Sequence, residues 1–269
     1  ELYYLTEERL AGGDSLAGGS VERIARSHAA LESRLTDWPE AERKAHIARF
    51  YANYWATFDL ETQERHARFL RRLGNAPGVL EIDARPDRSR AVTELTIYTA
   101  DHAGLFSGIA GAMAVIGTNI VNARVVTTTD GMALESLWVQ RGGGGHIEGK
   151  ETLHNLKRTI ERALSAQIAP AALIRQRQQP EGRTHVFNFA PRVLVDNAAS
   201  DTHTVIEVNG RDRRGLLYTV TRALSELGVT IASARIATYG ERAVDVFYIS
   251  DLIGDKITSE QRLKRLRAT

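Results

Sequence analysis

The chain has 269 residues, a formal net charge of +2 and no cysteine. The balanced charge argues against nucleic acid or an anionic membrane as partner, since either would favour a strongly basic surface. The lack of cysteine excludes disulfides and thiolate metal sites and is typical of the reducing cytoplasm, where we expect the protein to reside. Neither an apolar run of about 18 residues nor a signal-peptide pattern occurs. The length predicts about two domains.

The first 75 residues predict helices. Ser20 is placed to cap one of them, after a pair of glycines. Aromatic residues between positions 47 and 58 recur at helical spacing, which predicts one helix whose aromatic stripe packs in a core rather than around a cofactor. Asp59 or Thr62 then caps a further helix. We interpret residues 1–75 as a helical connector that forms the tail of an upstream domain.

The sequence that follows contains a repeat. Asp101-His102-Ala103-Gly104-Leu105-Phe106 is matched, at an offset of 111 residues, by Asp212-Arg213-Arg214-Gly215-Leu216-Leu217. The likeness continues through these pairs: Ile109 and Val220, Met113 and Leu224, Gly117 and Gly228, Asn119-Ile120 and Thr230-Ile231, Ala123-Arg124 and Ala234-Arg235, and, after a one-residue deletion, Glu135 and Asp245. A repeat of this length predicts two copies of one domain.

Each copy predicts the same elements. In the first, residues 95–99 alternate apolar and polar side chains, as a half-buried strand does. Apolar residues at steps of three and four then predict an amphipathic helix that ends at Gly117. Strands over 120–128 and 132–139 flank an Asp-Gly hairpin turn.

After the hairpin, four glycines at 142–145 lead to a short fourth edge strand and a helix over 150–166. The order is β-α-β-β-α-β, the ferredoxin-like arrangement of an α+β fold. A short strand at 79–83 and a turn at 85–88 precede the first copy, and strands at 185–189 and 192–195 precede the second.

We place the domain boundaries as follows: the connector at 1–75, the first domain at 76–168, a polar linker rich in Arg and Gln at 169–183, and the second domain at 184–269. Because the chain starts at Glu1 and ends inside a helical pattern, we expect it to be a piece of a longer protein whose C-terminal end is cut short.

The Asp-x-x-Gly turn suits a zwitterionic amino acid as ligand. Asp101 or Asp212 can accept hydrogen bonds from the ligand's ammonium group, and the unpaired N–H groups of the following helix can donate to its carboxylate. Gly104 and Gly215 let a ligand approach the backbone closely. The alternative is that each aspartate only caps its helix. The repetition of the turn with the same flanking pattern favours the ligand site.

The neighbouring residues are open to two interpretations each. His102 is either a ligand contact or an exposed loop histidine, and Arg213 and Arg214 either are solvated or orient a carboxylate. The glycines before Lys150 do not form a phosphate loop, the histidines lack metal-ligand spacing, and no nucleophile elbow occurs. The sequence therefore predicts no catalytic residue, no metal site and no cofactor in this chain.

Each copy resembles the ACT domain, a regulatory module that binds small amino acids. The resemblance rests on the strand, the Asp-x-x-Gly-Leu turn, the helix ending in Gly-x-Asn-Ile or Gly-Val-Thr-Ile, and the hairpin. Together with residues 1–6 (Glu-Leu-Tyr-Tyr-Leu-Thr), the end of the aromatic helix and His66-Ala67-Arg68, they make the whole chain similar to the C-terminal part of the bacterial bifunctional uridylyltransferase/uridylyl-removing enzymes. The resemblance implies that nucleotidyltransferase and HD-type hydrolase domains, which use Mg²⁺, lie upstream of Glu1. This chain would then be the non-catalytic part of an enzyme that acts on the PII nitrogen-regulatory protein.

The resemblance also implies glutamine as the ligand. Glutamine would lie against residues 101–106 with Asn119 and Ile120, and equivalently against 212–217 with Thr230 and Ile231. ACT domains pair side by side, within a chain or between chains, so a site can draw on both copies. Because Thr230 replaces Asn119 and two arginines replace His102 and Ala103, either the two sites differ in affinity or only one binds. Control of the distant catalytic domains needs a coupling of only about 1–3 kcal/mol.

Two alternatives remain open at this point. The repeats could be the amino-acid-binding tail of another metabolic enzyme. They could also be an interaction module whose paired sheets build an oligomer without any ligand, in which case Asp101 and Asp212 would be simple caps.

Overall fold

The computed structural model of the chain describes residues 17–74, 80–177, 191–239 and 242–268. Four helices open the described part: α1 (Ala17–Arg34), α2 (Glu40–Ala48), α3 (Ala52–Thr57) and α4 (Leu60–Leu73). None of the helices in these ranges is long and apolar enough to cross a membrane.

Two predictions for this helical segment are wrong and two are confirmed. Helix α1 begins at Ala17 and runs through Ser20, so Ser20 is not its cap. Adding residues to an existing helix costs far less free energy than nucleating one, so the helix can extend across the glycines. The aromatic stretch forms two helices rather than one, because Phe50 leaves the helix to form a β-bridge with Thr128. Asp59 caps α4 as predicted, since its side chain accepts a 2.8 Å hydrogen bond from the N–H of Thr62.

The aromatic residues of this segment pack in a core, as predicted. The rings of Phe50 and Tyr54 stack with centroids 3.8 Å apart. The buried ring of His66 contacts the Tyr54 hydroxyl at 3.3 Å and Ser136 Oγ at 3.0 Å. Burial lowers the pKa of His66 to about 3, so the ring stays neutral. Because Ser136 lies on a strand of the first copy, these contacts fix the helical segment to that sheet.

The first copy follows, with strands β1 (Leu80–Asp87), β2 (Val92–Ala100), β3 (Thr118–Thr127) and β4 (Met132–Arg141) and helices α5 (Leu105–Ile116) and α6 (Lys150–Leu164). Its strands are antiparallel in the order β1-β2-β4-β3. This arrangement confirms the ferredoxin-like α+β fold, the Asp-Gly hairpin turn and the end of α5 at Gly117, whose φ of 78° is left-handed.

The fourth strand of the copy precedes the other three instead of following them. Strand β1 continues to Asp87, through the turn predicted at 85–88, and occupies the sheet edge beside β2. Residues 142–149 therefore form no strand. They cross the end of the sheet, where the backbone of Ile147 exchanges hydrogen bonds of 2.6 and 2.7 Å with Thr93 Oγ1.

The second copy repeats this plan with strands β5 (Arg192–Asp196), β6 (Thr204–Arg211), β7 (Val229–Tyr239) and β8 (Arg242–Asp251). Its helices are α8 (Leu216–Glu226) and α9 (Glu260–Arg267). The contact of Ile147 with Thr93 also recurs, as Ile257 N–H donates to Thr204 Oγ1 at 3.0 Å. The strand predicted at 185–189 lies outside the described residues.

Between the copies lies helix α7 (Pro170–Arg177), in the stretch that the sequence assigns to a linker. Ile174 on this helix is buried and packs against Ala114 and Val115 of α5. The polar composition of 169–183 hides this short apolar contact, so the linker prediction is corrected for its first half; residues 178–183 lie outside the described ranges.

The first copy is more deeply buried than its sequence predicts. Strand β2 is buried on both faces, because α5 and α6 cover one face and the aromatic core of the helical segment covers the other. Helix α5 is buried on nearly all sides rather than being amphipathic, since it lies between α6, α7 and α8. The alternation of apolar and polar side chains at 95–99 therefore predicts the strand correctly, but it does not predict that both faces of the strand are buried.

The two copies share one eight-stranded sheet in the order β1-β2-β4-β3-β7-β8-β6-β5. At its centre β3 pairs antiparallel with β7, and Ala123 lies opposite Ala234, its own equivalent in the repeat. On either side of this pair, Asn122 faces Arg235 and Arg124 faces Ser233. The copies therefore pair within the chain, about an approximate two-fold axis.

Candidate functional site

The two predicted turns have the same backbone. In each, a glycine with left-handed φ, 82° at Gly104 and 81° at Gly215, precedes the first residue of the helix. No side chain caps either α5 or α8. Asp101 and Asp212 are therefore not helix caps, and the alternative interpretation, that each aspartate only caps its helix, is wrong.

The turn of the first copy is tied to its own hairpin. Asp101 is exposed, and its carboxylate accepts a 2.5 Å hydrogen bond from Thr127 Oγ1. His102 and Ala103 are also exposed, with His102 Nδ1 lying 3.1 Å from the Ala103 carbonyl oxygen. Leu105 and Phe106, in contrast, are buried in the core. Their side chains stabilise the start of α5 and offer no polar contact.

The turn of the second copy reaches into the first copy. Arg214 donates from Nε to the Ala114 carbonyl at 2.7 Å and from Nη2 to the Val115 carbonyl at 2.9 Å. These carbonyls lie in the last turn of α5, where a helix has too few N–H groups of its own to satisfy every acceptor. Arg214 thus caps α5 across the two copies, a role that differs from both predicted ones.

A cavity of about 770 Å³ lies between the copies, at the turn of the second. The predicted site residues that line it are Asn119, Ile120, Asp212, Arg213, Arg214, Gly215, Leu216 and Leu217. They are joined by residues of α5 and its end, of α8, of the adjoining strands and of the turn after β4, namely Ala110, Met113, Ala114, Gly117, Thr118, Val121, Gln140, Gly142, Tyr218, Ile236, Ala237, Thr238, Ala243 and Asp245. A volume of this size is typical of small-molecule sites.

The cavity pairs the predicted residues crosswise. The sequence associates each turn with the strand start of the same copy, whereas the structure brings Asn119 and Ile120 of the first copy to residues 212–217 of the second. The reason is the antiparallel pairing of β3 with β7, which carries the start of β3 towards α8. Residues 101–106, Thr230 and Ile231 do not line this cavity.

Sequence reasoning missed two buried carboxyl groups. Asp245 on β8 is 1% exposed, lines the cavity, and has no hydrogen-bond partner at Oδ1 among the described residues. Burial, and then the nearby Asp212 carboxylate, raise the pKa of Asp245 to about 7. Its equivalent Glu135 on β4 is also 1% exposed, and burial followed by the charge of Asp101 raises its pKa to about 8.

A signal for both groups is present in the sequence. An acidic residue stands at the same strand position in each copy, between apolar residues that face the helices: Ala133 and Leu137 in the first, Ala243 and Phe247 in the second. In a strand that alternates, this spacing places the acid on the inward side.

A second cavity of about 780 Å³ lies on the other side of the end of α5, between α6 and α7. Its polar lining is mostly exposed and includes Arg141, Glu151, Asn155 and Arg162. Within the described ranges, no three His, Asp or Glu side chains are grouped so as to hold a metal ion.

Sequence comparison finds known proteins to which this chain is similar. Residues 192–269 match the family model of the ACR9-like, ACT-like domain. The chain is 48% identical over 269 residues to the bifunctional uridylyltransferase/uridylyl-removing enzyme of Azospirillum brasilense. The aligned region covers 99% of this chain and 29% of that enzyme. It is 45% identical over 268 residues to the enzyme of the same name from Rhodospirillum rubrum, covering 99% of this chain and 28% of that enzyme.

Among solved structures, aspartate kinase from Synechocystis matches 66% of this chain and 26% of its own chain, at 14% identity and a TM-score of 0.32. A score this low supports no conclusion about the chain.

The chain spans somewhat under a third of the length of the curated relatives that it matches.

Proposed function

Because this chain belongs to the family of bifunctional uridylyltransferase/uridylyl-removing enzymes, we propose that it is their glutamine-sensing region, which controls the uridylylation and deuridylylation of the PII nitrogen-regulatory protein. One observation carries the proposal. The cavity between the two copies joins the start of a helix and an acidic turn from the second copy to the amide-bearing strand ends of the first.

The lining of the cavity offers partners for each part of a glutamine molecule. The Asp212 carboxylate supplies a negative charge for the ammonium group. Helix α8 begins at the cavity, and the N–H groups of its first turn suit a carboxylate. The amides of Asn119 and Gln140 can both donate and accept, as the neutral side-chain amide of glutamine requires. Glutamate would bring a second negative charge beside Asp212 and Asp245, which is costly in a partly buried site.

The position of the cavity suits regulation. A ligand that contacts both copies favours one arrangement of β3 against β7, and a coupling of about 1–3 kcal/mol is sufficient for control. We assign the catalytic steps, and the Mg²⁺ that they use, to the part of the enzyme that this chain does not span. PII would be a partner of the whole enzyme.

Calorimetric titration of the chain with glutamine, glutamate and serine tests the proposal. We expect heat with glutamine alone, loss of that heat in Asp212→Ala, and its retention in the matched variant Asp101→Ala, whose turn does not line the cavity. Absence of heat with every amino acid would contradict the sensor and favour a ligand-free interaction module. Heat with serine but not glutamine would indicate the tail of a different enzyme.

A further inference from the structure

The wall of the cavity that β8 forms carries a buried acid, Asp245, that is not fully hydrogen-bonded by the described residues. Asp245 is 1% exposed, and the structure gives its Oδ1 no hydrogen-bond partner within the described ranges. An N–H of the neighbouring strand, that of Ala237, contacts the carboxyl group. A buried carboxylate without a full set of partners costs free energy, so such a group is retained where something else completes it.

The surroundings of Asp245 favour the binding of a cation. Its carboxyl group lies close enough to the Asp212 carboxylate for the two charges to disfavour each other. In the described part of the chain, the cations that line the cavity are Arg213 and Arg214, and the Arg214 guanidinium donates to two carbonyls at the end of α5. A small cation between Asp245 and Asp212 would relieve the repulsion and supply the missing hydrogen bond.

We propose that Asp245 binds the ammonium group of the amino-acid ligand, with Asp212 as the outer partner of the same group. The assignment rests on the proposed amino-acid site and names its specificity-determining residue. An ammonium group fits because it is positively charged and has three donors, whereas a ligand carboxylate would be repelled and a neutral amide would leave the two charges uncompensated.

The repeat supplies a matched control. Glu135 occupies the equivalent position in the first copy, is equally buried, and has no partner at either carboxylate oxygen among the described residues. It lines neither of the two cavities described above. Glu135→Gln and Asp245→Asn therefore remove the same kind of buried carboxyl group, and only the second removes it from the cavity.

The experiment is calorimetric titration of the chain with glutamine and with N-acetylglutamine, which lacks the ammonium group. We expect Asp245→Asn to weaken glutamine binding about tenfold to a hundredfold, the usual effect of losing a hydrogen bond to a charged group. Glu135→Gln should bind as the wild type does. N-acetylglutamine should not bind the wild type measurably.

Proton release gives a readout that a merely structural role would not move. With its pKa near 7, Asp245 is largely protonated at pH 6.5 in the free chain. Binding of an ammonium group would ionise it, so titration in buffers of different ionisation enthalpy should show proton release at pH 6.5 and little at pH 8.5. The other titratable side chains around the cavity are Asp212, Arg213, Arg214 and Tyr218, and Asp212 is the one whose charge acts on Asp245.

The outcomes separate this assignment from the proposed function. If the wild type binds glutamine and either Asp245→Asn binds equally well or N-acetylglutamine binds like glutamine, the role of Asp245 is overturned and the sensor stands. If the wild type binds no amino acid, the sensor itself fails. Should Asp245→Asn not fold, as circular dichroism would show, the proton release still decides the matter: it should persist in Asp212→Asn if Asp245 is the group that ionises, and its loss there would overturn the role of Asp245.

Discussion

Ala123 and Ala234 are the same position in two copies of a repeat, and they lie directly opposite each other where β3 meets β7. Both are buried, at 1% and 0% exposure. The pairing means that the approximate two-fold axis of the molecule passes between these two residues. Any change in the spacing of these two strands changes both copies at once, so the proposed ligand in the adjoining cavity would act on an element that the copies share.

Because both residues are small and buried, we expect a larger side chain at this position to destabilise the protein. Ala234→Leu should lower the free energy of unfolding by about 1–3 kcal/mol, because a larger side chain overpacks the seam between the two strands. Urea denaturation measures the loss. Ala41→Leu, on an exposed face of α2, is the control and should stay within about 0.5 kcal/mol of the wild type. Equal effects of the two substitutions would contradict a tightly packed seam.

The crosswise site predicts a difference between two equivalent positions. Asn119→Ala should weaken glutamine binding, because Asn119 lines the cavity, whereas Thr230→Ala should leave it unchanged. The expected loss is on the order of tenfold for a hydrogen bond inside a partly buried site. Titration of both variants checks it. A loss with Thr230→Ala and none with Asn119→Ala would place the ligand at the turn of the first copy instead.

Arg214 predicts an effect on stability. Arg214→Ala removes two hydrogen bonds to the end of α5 and leaves the carbonyls of Ala114 and Val115 without that donor. We expect a loss of about 1–3 kcal/mol, measured by urea denaturation. Arg214→Lys should recover only part of it, since a lysine cannot donate through a planar fork to two carbonyls. Arg213→Ala, next in the chain, should change stability little.

Much of the fold could be predicted from the sequence because its signals are local. The glycines at the turns and at Gly117 require a left-handed φ, and Asp130-Gly131 specifies the hairpin. The position of the fourth strand could not be predicted, since the sequence offers strands both at 79–83 and after the four glycines, and the packing places β1 beside β2. The crosswise cavity depends on the β3–β7 pairing, which brings together residues far apart in the chain.

Asp245 was missed for a different reason. A lone acid within an apolar strand is usually exposed, so either copy taken alone gives little reason to place its acid on the buried face. The pairing of Glu135 with Asp245 in the repeat is the signal that could have revealed it. An acid that recurs at an inward strand position indicates a buried carboxyl group rather than a surface residue.

Glu135 predicts a pH dependence of stability. Its pKa is raised from 4.5 to about 8 by burial, so between these values the folded chain holds a proton that the unfolded chain has lost. The free energy of unfolding should therefore fall as the pH rises from about 4.5 to 8, by on the order of a few kcal/mol. Urea denaturation from pH 5 to pH 9 should show this fall weakened in Glu135→Gln.

Other buried groups must be separated from this effect. Burial lowers the pKa of His46 to about 4 and that of His66 to about 3, so both histidines reduce stability as the pH falls below 6.5. Asp245 contributes in the same direction as Glu135. All three are present in Glu135→Gln, so the difference between the two proteins isolates Glu135. An unchanged difference from pH 5 to pH 9 would show that Glu135 is not buried as described.

Arg124 links the β3–β7 pair to the helical segment and, on the proposed function, predicts how ligand binding reaches that segment. It lies beside Ala123 on β3, donates to the Thr57 carbonyl, and its guanidinium lies 5.9 Å from the Phe58 ring centre. Arg124→Met should therefore speed hydrogen exchange in α3 and α4 and reduce the protection that glutamine gives these helices. Arg235→Met, at the equivalent position on β7, should leave their exchange unchanged, because the described contacts of α3 and α4 with the sheet are to the first copy. Equal exchange in the two variants would mean that the ligand acts on the helical segment through another contact, such as that of His66 with Ser136.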